Sequence, residues 1–168
     1  MRITQQRTYN LSAEQLMEKL TSQSFYEERF AVLGVSDYEF AEFGESHEGF
    51  VVHIVRTLQV DMSRIPSFAK RFLNASMELS TKFVWRIKEG ASFAGQYAVK
   101  MGNVPVTIEG NTYVQNISES QCQQEVRITV SSSVPLVGKK IAAALAERVE
   151  EVIEKDYQAT LKVLEKEH

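Results

Sequence analysis

The chain has 168 residues, 43% of them hydrophobic and 24% charged, with a net charge of −3 and a single cysteine. That length fits one domain, residues 1–168, with enough chain to bury a core. The acidic balance argues against nucleic acid as the main partner, because phosphate binding needs a basic surface. Cys122 alone excludes an intrachain disulfide and any multi-cysteine metal site.

No apolar run follows Arg2, so no secretory signal is expected, and no stretch approaches the ~20 apolar residues needed to span a bilayer. A cytoplasmic protein is the expectation. Residues 2–9 read as a short strand. Ser12 and Gln15 then form a capping box, with Leu16, Met17 and Leu20 on the apolar side of the helix that follows. A second helix carries Phe25, Tyr26, Phe30 and Leu33 and ends at Gly34. From residue 35 the period switches to two. Tyr38 and Phe40 share a face, and a polar turn runs from Gly44 to Gly49. Phe50, Val52, Ile54, Leu58 and Val60 then line one side of the next strand.

Residues 61–76 interrupt this pattern. Pro66 suits the first turn of a short amphipathic helix, with Phe68, Phe72 and Leu73 on one side and Lys70 and Arg71 among the polar positions. Alternation returns with Met77, Leu79, Phe83, Trp85 and Ile87, a turn at Glu89-Gly90, then Phe93, Tyr97, Val99 and Met101. Two more strands follow, one through Val104, Val106, Ile108, Thr112 and Val114, the other through Val126, Ile128, Val130 and Val134. After Pro135 and Gly138 no glycine or proline recurs. Ile141, Leu145, Val149, Val152, Ile153, Tyr157, Leu161 and Leu164 form one stripe of a helix over about residues 138–166, roughly 40 Å long. The expected fold is α+β: an antiparallel sheet curved around this C-terminal helix, with two short helices between the first and second strands.

That element order resembles the START-like, or helix-grip, superfamily, which includes plant proteins of the Bet v 1 type and aromatic polyketide cyclases. Local strings are similar to a bacterial family known as domain of unknown function 2505. They are Phe25-Tyr26-Glu27-Glu28-Arg29-Phe30-Ala31-Val32-Leu33-Gly34 and Pro66-Ser67-Phe68-Ala69-Lys70-Arg71-Phe72, followed by Val104-Pro105-Val106-Thr107-Ile108-Glu109-Gly110 and Val134-Pro135-Leu136-Val137-Gly138-Lys139-Lys140-Ile141. The resemblance implies a cavity between sheet and long helix that holds a hydrophobic small molecule or lipid. It supplies no catalytic motif, and one fold hosts unrelated activities.

Strand parity gives a separate route to a site. If Phe50, Val52 and Ile54 point inward, so does Arg56, and by the same rule Thr81, Thr112, Ser132, Trp85 and Tyr97, alongside Phe83. Glu42 would share a face with Tyr38 and Phe40 and so neutralise Arg56. An apolar wall with a few convergent polar groups is what small-molecule pockets show. Against a ligand contact stand two plainer roles for Arg56: snorkelling out at a strand end, or a structural pair with Glu42. The Phe68/Phe72 helix reads either as core that plugs the open end of the sheet or as a lid. In the second case Lys70 and Arg71 would meet a membrane or an acidic head group in passing. His47 in the polar turn, outward-facing His53 and terminal His168 have no metal-ligand spacing, and no cofactor is expected. Three functions fit: binding or transport of a hydrophobic ligand; a polyketide cyclase or aromatase with Glu42, Tyr97 or Arg56 as acid–base group; or an interaction module whose cavity Phe83, Trp85, Phe93 and Tyr97 fill. The sequence gives no indication of oligomeric state.

Overall fold

The computed structural model describes residues 1–88 and 92–166, without the side chains of residues 87 and 88. The turn expected at Glu89-Gly90, the inward placement of Ile87 and the position of His168 lie outside the described residues. Strand β1 (Arg2–Tyr9) leads into α1 (Ala13–Leu20) and α2 (Gln23–Leu33). Six strands follow among the described residues: β2 (Tyr38–Ser46), β3 (Gly49–Gln59), β4 (Ser76–Lys88), β5 (Ser92–Met101), β6 (Val106–Ser118) and β7 (Gln121–Ser132), with an insertion between β3 and β4. The long helix α4 (Gly138–Glu165) ends the chain.

The capping box at α1 is present on both sides. Ser12 Oγ accepts from the Gln15 amide at 3.1 Å, and Gln15 Oε1 accepts from the Ser12 amide at 3.0 Å. Two amides that no helical turn can satisfy are thereby paired, which fixes where the chain leaves β1. Helix α1 buries Ala13, Leu16, Met17 and Leu20, and α2 buries Phe25, Tyr26 and Phe30, so both lie against the sheet rather than in solvent.

The seven strands form one antiparallel sheet in the order β1-β7-β6-β5-β4-β3-β2, with β1 returning to pair with β7. Its concave face meets α4 in two apolar clusters. Near the start of α4, Ala142 and Ala146 pack on Ile3, Ile108, Val126, Ile128 and Val130. Near its end, Val163 packs with Tyr9, Leu16, Phe25, Phe30, Trp85 and Cys122. The apolar stripe read from the sequence therefore needs correction at one position, since Val152 is exposed. The deepest contacts belong instead to Ala142, Ala146, Ala159 and Val163, because small side chains let the helix axis approach β7 closely. The insertion between β3 and β4 is less helical than its pattern suggests. It holds a single 3-10 turn, Met62–Arg64, and a four-residue α3, Ser67–Lys70, so Phe72 falls beyond the helix.

Candidate functional site

Inward parity holds across the sheet, and it places Arg56, Thr81, Phe83, Trp85, Tyr97, Thr112 and Ser132 on the concave side. They do not form one site. Phe83, Thr81 and Leu79 on β4, Val99 and Met101 on β5, and Leu145 and Val149 on α4 all point into the space beneath the helix, yet are only half-buried. Together they make an incompletely covered stretch of the sheet–helix interface, termed the groove below. Arg56 lies in its wall, paired in register with Tyr38 on one side and Leu79 on the other. Its Nε is enclosed and has no hydrogen-bond partner among the described residues.

Glu42 is not there. The β2–β3 register slips between Phe40 and Glu42, so Glu42 lies opposite His53 and Phe43 opposite Val52. This β-bulge inserts one extra residue, turning Glu42 to the outer face and Phe43 inward, so the expected pair with Arg56 does not form. His53 faces outward as parity requires, with Nε2 2.8 Å from Ser80 Oγ.

Trp85 lies beside the groove, next to Phe83 on the same face of β4. It is buried, stacks parallel to Phe83 with ring centroids 6.4 Å apart, and lies across Gly95, where a Cβ would fall 2.9 Å from its Cε3. Only glycine leaves that space. Gly110 serves Tyr97 in the same way. A Cβ there would fall 2.7 Å from the Tyr97 hydroxyl, which donates to the Arg127 carbonyl at 3.4 Å. Burial pushes the Tyr97 phenol well above its ordinary value, so it stays protonated at neutral pH. Two other expected site residues are committed elsewhere. Thr112 is fully buried and accepts from Gln124 Nε2 at 2.9 Å, while Gln124 Oε1 accepts from the Tyr9 hydroxyl at 3.2 Å. Ser132 Oγ donates to the Pro105 carbonyl at 2.8 Å and so fastens a loop. Phe68 and Phe72 are half-buried in the insertion between β3 and β4, with the Arg71 guanidinium 4.7 Å over the Phe72 ring.

Two buried arginines escaped the sequence reading. Arg7 alternates with Tyr9 on β1 and reaches under α4, donating from Nε to Gln5 Oε1 and from Nη2 to the Ile153 carbonyl, each at 2.7 Å. Arg29 occupies the inner face of α2 one turn after Phe25 and Tyr26. Its guanidinium stands 5.0 Å over the Tyr26 ring, Nε lies 3.7 Å from Asp156 Oδ1, and Nη1 donates to Thr160 Oγ1 at 3.4 Å. The signal was present in both cases: each residue shares the apolar period of its own element. These groups tie β1 and α2 to the second half of α4 and leave its first half as the groove wall.

A depression of about 850 Å³ crosses the other, convex face, lined by Lys82, Arg86, Gln96, Glu109, Asn111 and Arg127. Its lining mixes these polar groups with Ile3, Val84, Ala98 and Ile128, and two of its cations are engaged locally. Lys82 stands 3.6 Å from Glu48, and Arg127 is bidentate on Glu125. No helix among the described residues is long and apolar enough to cross a membrane.

Comparison with known proteins places this architecture. A family profile described as "Protein of unknown function (DUF2505)" matches residues 4–164. The chain belongs to that family. Comparison with curated protein sequences gives no significant match. Among solved structures, human STARD10 aligns with a TM-score of 0.60 at 12% identity, over 98% of this chain and 64% of its own length. Norcoclaurine synthase from Thalictrum flavum gives 0.58 at 13% identity, over 98% and 87%. The Zhui aromatase/cyclase from Streptomyces sp. R1128 gives 0.55 at 14% identity, over 97% and 90%. At these identities the likeness establishes the helix-grip fold of this family member and nothing about its chemistry.

Proposed function

We propose that this protein binds or carries a hydrophobic small molecule or lipid in the groove between the concave sheet face and the first half of α4, with Arg56 orienting an acidic end. The observation that carries the reading is the half-buried apolar wall formed by Leu79, Phe83, Val99, Leu145 and Val149 around an arginine whose enclosed Nε has no partner. Leaving such surface open forfeits burial energy of ~25 cal/mol per Å². A bound apolar ligand would recover it, and a carboxylate or phosphate would satisfy the guanidinium.

Binding is preferred to a cyclase or aromatase reaction because two of the three acid–base candidates are poorly placed, and the third, Arg56, is a guanidinium that offers donors but no acceptor for a proton. Glu42 faces outward, and the buried Tyr97 hydroxyl already donates to a backbone carbonyl. It is preferred to an interaction module with a filled cavity because Phe83 and Phe93 remain half-buried.

Trp85 is the sole tryptophan and stacks on Phe83 of the groove wall, so its emission reports events there. Fatty acids, sterols and aromatic polyketide mimics, the last suggested by the aromatase/cyclase among the structural neighbours, form the panel for titration. At least one class should change Trp85 emission and raise the melting temperature in proportion to occupancy. Native mass spectrometry of protein from its own host should show a co-purified mass. Unchanged emission and melting with every class, together with a bare native mass, would return the filled-cavity reading.

A further inference from the structure

The end of the sheet at which α3 sits gathers segments that belong to no strand. The Val60 amide donates to the Ala75 carbonyl, the Gly102 amide to the Glu78 carbonyl and the Gly138 amide to the Val134 carbonyl, while Ser132 Oγ holds Pro105. The insertion, the β5–β6 turn, the β7–α4 loop and the first turn of α4 thus form one surface. Over residues 61–75, 102–105 and 133–140 the sequence places Arg64, Lys70, Arg71, Lys139 and Lys140 against Asp61 alone, a local +4 in a chain of net −3. All five cations are exposed, and none forms an ion pair among the described residues. The Asp61 carboxylate is occupied by the Ser63 amide and hydroxyl. Lys139 and Lys140 stand at the positive end of the α4 dipole, in a first turn with no acidic residue, where helices ordinarily prefer carboxylates.

In the β7–α4 loop of this basic surface the chain presents a leucine with left-handed backbone. Leu136 has φ of 72° and is the one non-glycine residue with positive φ among those described, and its side chain is 102% exposed. Left-handed backbone disfavours an L-residue with a Cβ, and glycine or asparagine would occupy the position with less strain. In the isolated molecule leucine gains nothing there. Ile65, Phe72, Leu73, Val104 and Pro135 lie partly or fully exposed on the same surface.

We infer that this end of the molecule docks on a membrane leaflet displaying anionic phosphate lipids, with Leu136 inserted at the acyl boundary and the five cations among the phosphates. The charge asymmetry selects a membrane over a hydrophobic protein partner and orients the molecule, since the rest of its surface is repelled. Docking goes beyond the ligand-binding reading and holds whether or not the groove is occupied.

Flotation of the full chain with vesicles tests it. The wild type should float with phosphatidylcholine vesicles containing roughly a third phosphatidylglycerol at about 0.1 M salt, and should release at about 0.5 M as screening shortens. Lys139→Gln with Lys140→Gln should lower the partition coefficient about twenty- to thirty-fold, since each basic residue near such a surface contributes about five-fold. Leu136→Gly relieves the backbone, so its melting temperature should hold or rise, while partition falls roughly ten- to hundred-fold as expected for one lost leucine burial. Arg56→Met should float like the wild type, which separates loss of docking from loss of groove binding. A wild type that stays in the lipid-free fraction, or binds neutral vesicles equally well, would overturn the inference. So would a Leu136→Gly variant that floats unchanged.

Discussion

Arg56 stands on the concave face without an ion pair among the described residues, so removing its charge strands no carboxylate. Arg56→Met should therefore keep the melting temperature within a few degrees, or raise it, because an enclosed N–H without an acceptor is lost. Affinity for anionic ligands should drop about ten- to a hundred-fold, the worth of a charge-assisted contact at roughly 1.5–3 kcal/mol, and neutral analogues of the same shape should lose far less. Glu42→Gln added to it should change neither quantity by more than about 0.5 kcal/mol, as for independent sites. Equal loss for charged and neutral ligands would defeat the anchor role. Arg29 should behave in the opposite sense. Arg29→Met removes the cation between the Phe25 and Tyr26 rings and the partner of Asp156, and should destabilise by about 2 kcal/mol in a denaturant titration, the partly exposed Asp156 limiting the cost. Why one residue could be placed from the sequence and another not is a matter of register. Arg56 follows an unbroken alternation from Phe50, whereas a bulge after Phe40 reverses every parity beyond it. Phe43, an aromatic out of phase with Phe40, was the one trace of that bulge in the sequence.

Helix α4 shows what periodicity conveys about an element and what it leaves out. Its existence and length follow from the absence of glycine and proline after residue 138 and from the three–four spacing, and the observed Gly138–Glu165 agrees with them. Which residues seal the core does not follow, because alanine carries little weight in an apolar count and yet makes the closest helix–sheet approach. Leu145 and Val149 belong to the stripe expected to be buried, yet they are only half-buried at the edge of the apolar cluster near the start of α4. The two halves of the helix should respond differently to the same change. Val163→Asp, at a position 1% exposed, should unfold the domain, since an unpaired buried carboxylate exceeds ~4 kcal/mol. Leu145→Asp should remain folded by circular dichroism with a lowered melting point, and should lose the Trp85 response to apolar probes. Equal unfolding by both variants would mean that the first half of the helix is sealed core and the groove is closed.

At the scale of the whole molecule the wrapped sheet buries phenols as well as hydrocarbon, and this sets an upper pH limit for the fold. Tyr9 and Tyr26 are each pushed up to about 12, chiefly by burial. For Tyr9 the nearby Arg7 pulls back against that rise, and for Tyr26 Arg29 does. In the unfolded chain both phenols ionise near 10. Between those values the unfolded state has released protons that the folded state still holds, so stability falls as pH rises. The contribution is complete below about pH 10 and is lost progressively up to about pH 12. Two groups raised by about two units each amount to about 5 kcal/mol, comparable with the entire stability of a domain of this size. Tyr97 is displaced in the same direction and adds to the effect. Melting temperatures should therefore be flat from pH 8 to about 9.5 and collapse between 10 and 12. Absorbance at 295 nm should show late tyrosine ionisation that coincides with loss of near-ultraviolet circular dichroism. Tyr26→Phe removes one of the two phenols together with its 2.6 Å hydrogen bond to the Leu20 carbonyl. It should cost about 1 kcal/mol at neutral pH and make the alkaline limb shallower. A wild-type melting temperature that stayed level through pH 12 would mean that these hydroxyls reach solvent, and that the sheet does not close over α1 and α2 as described.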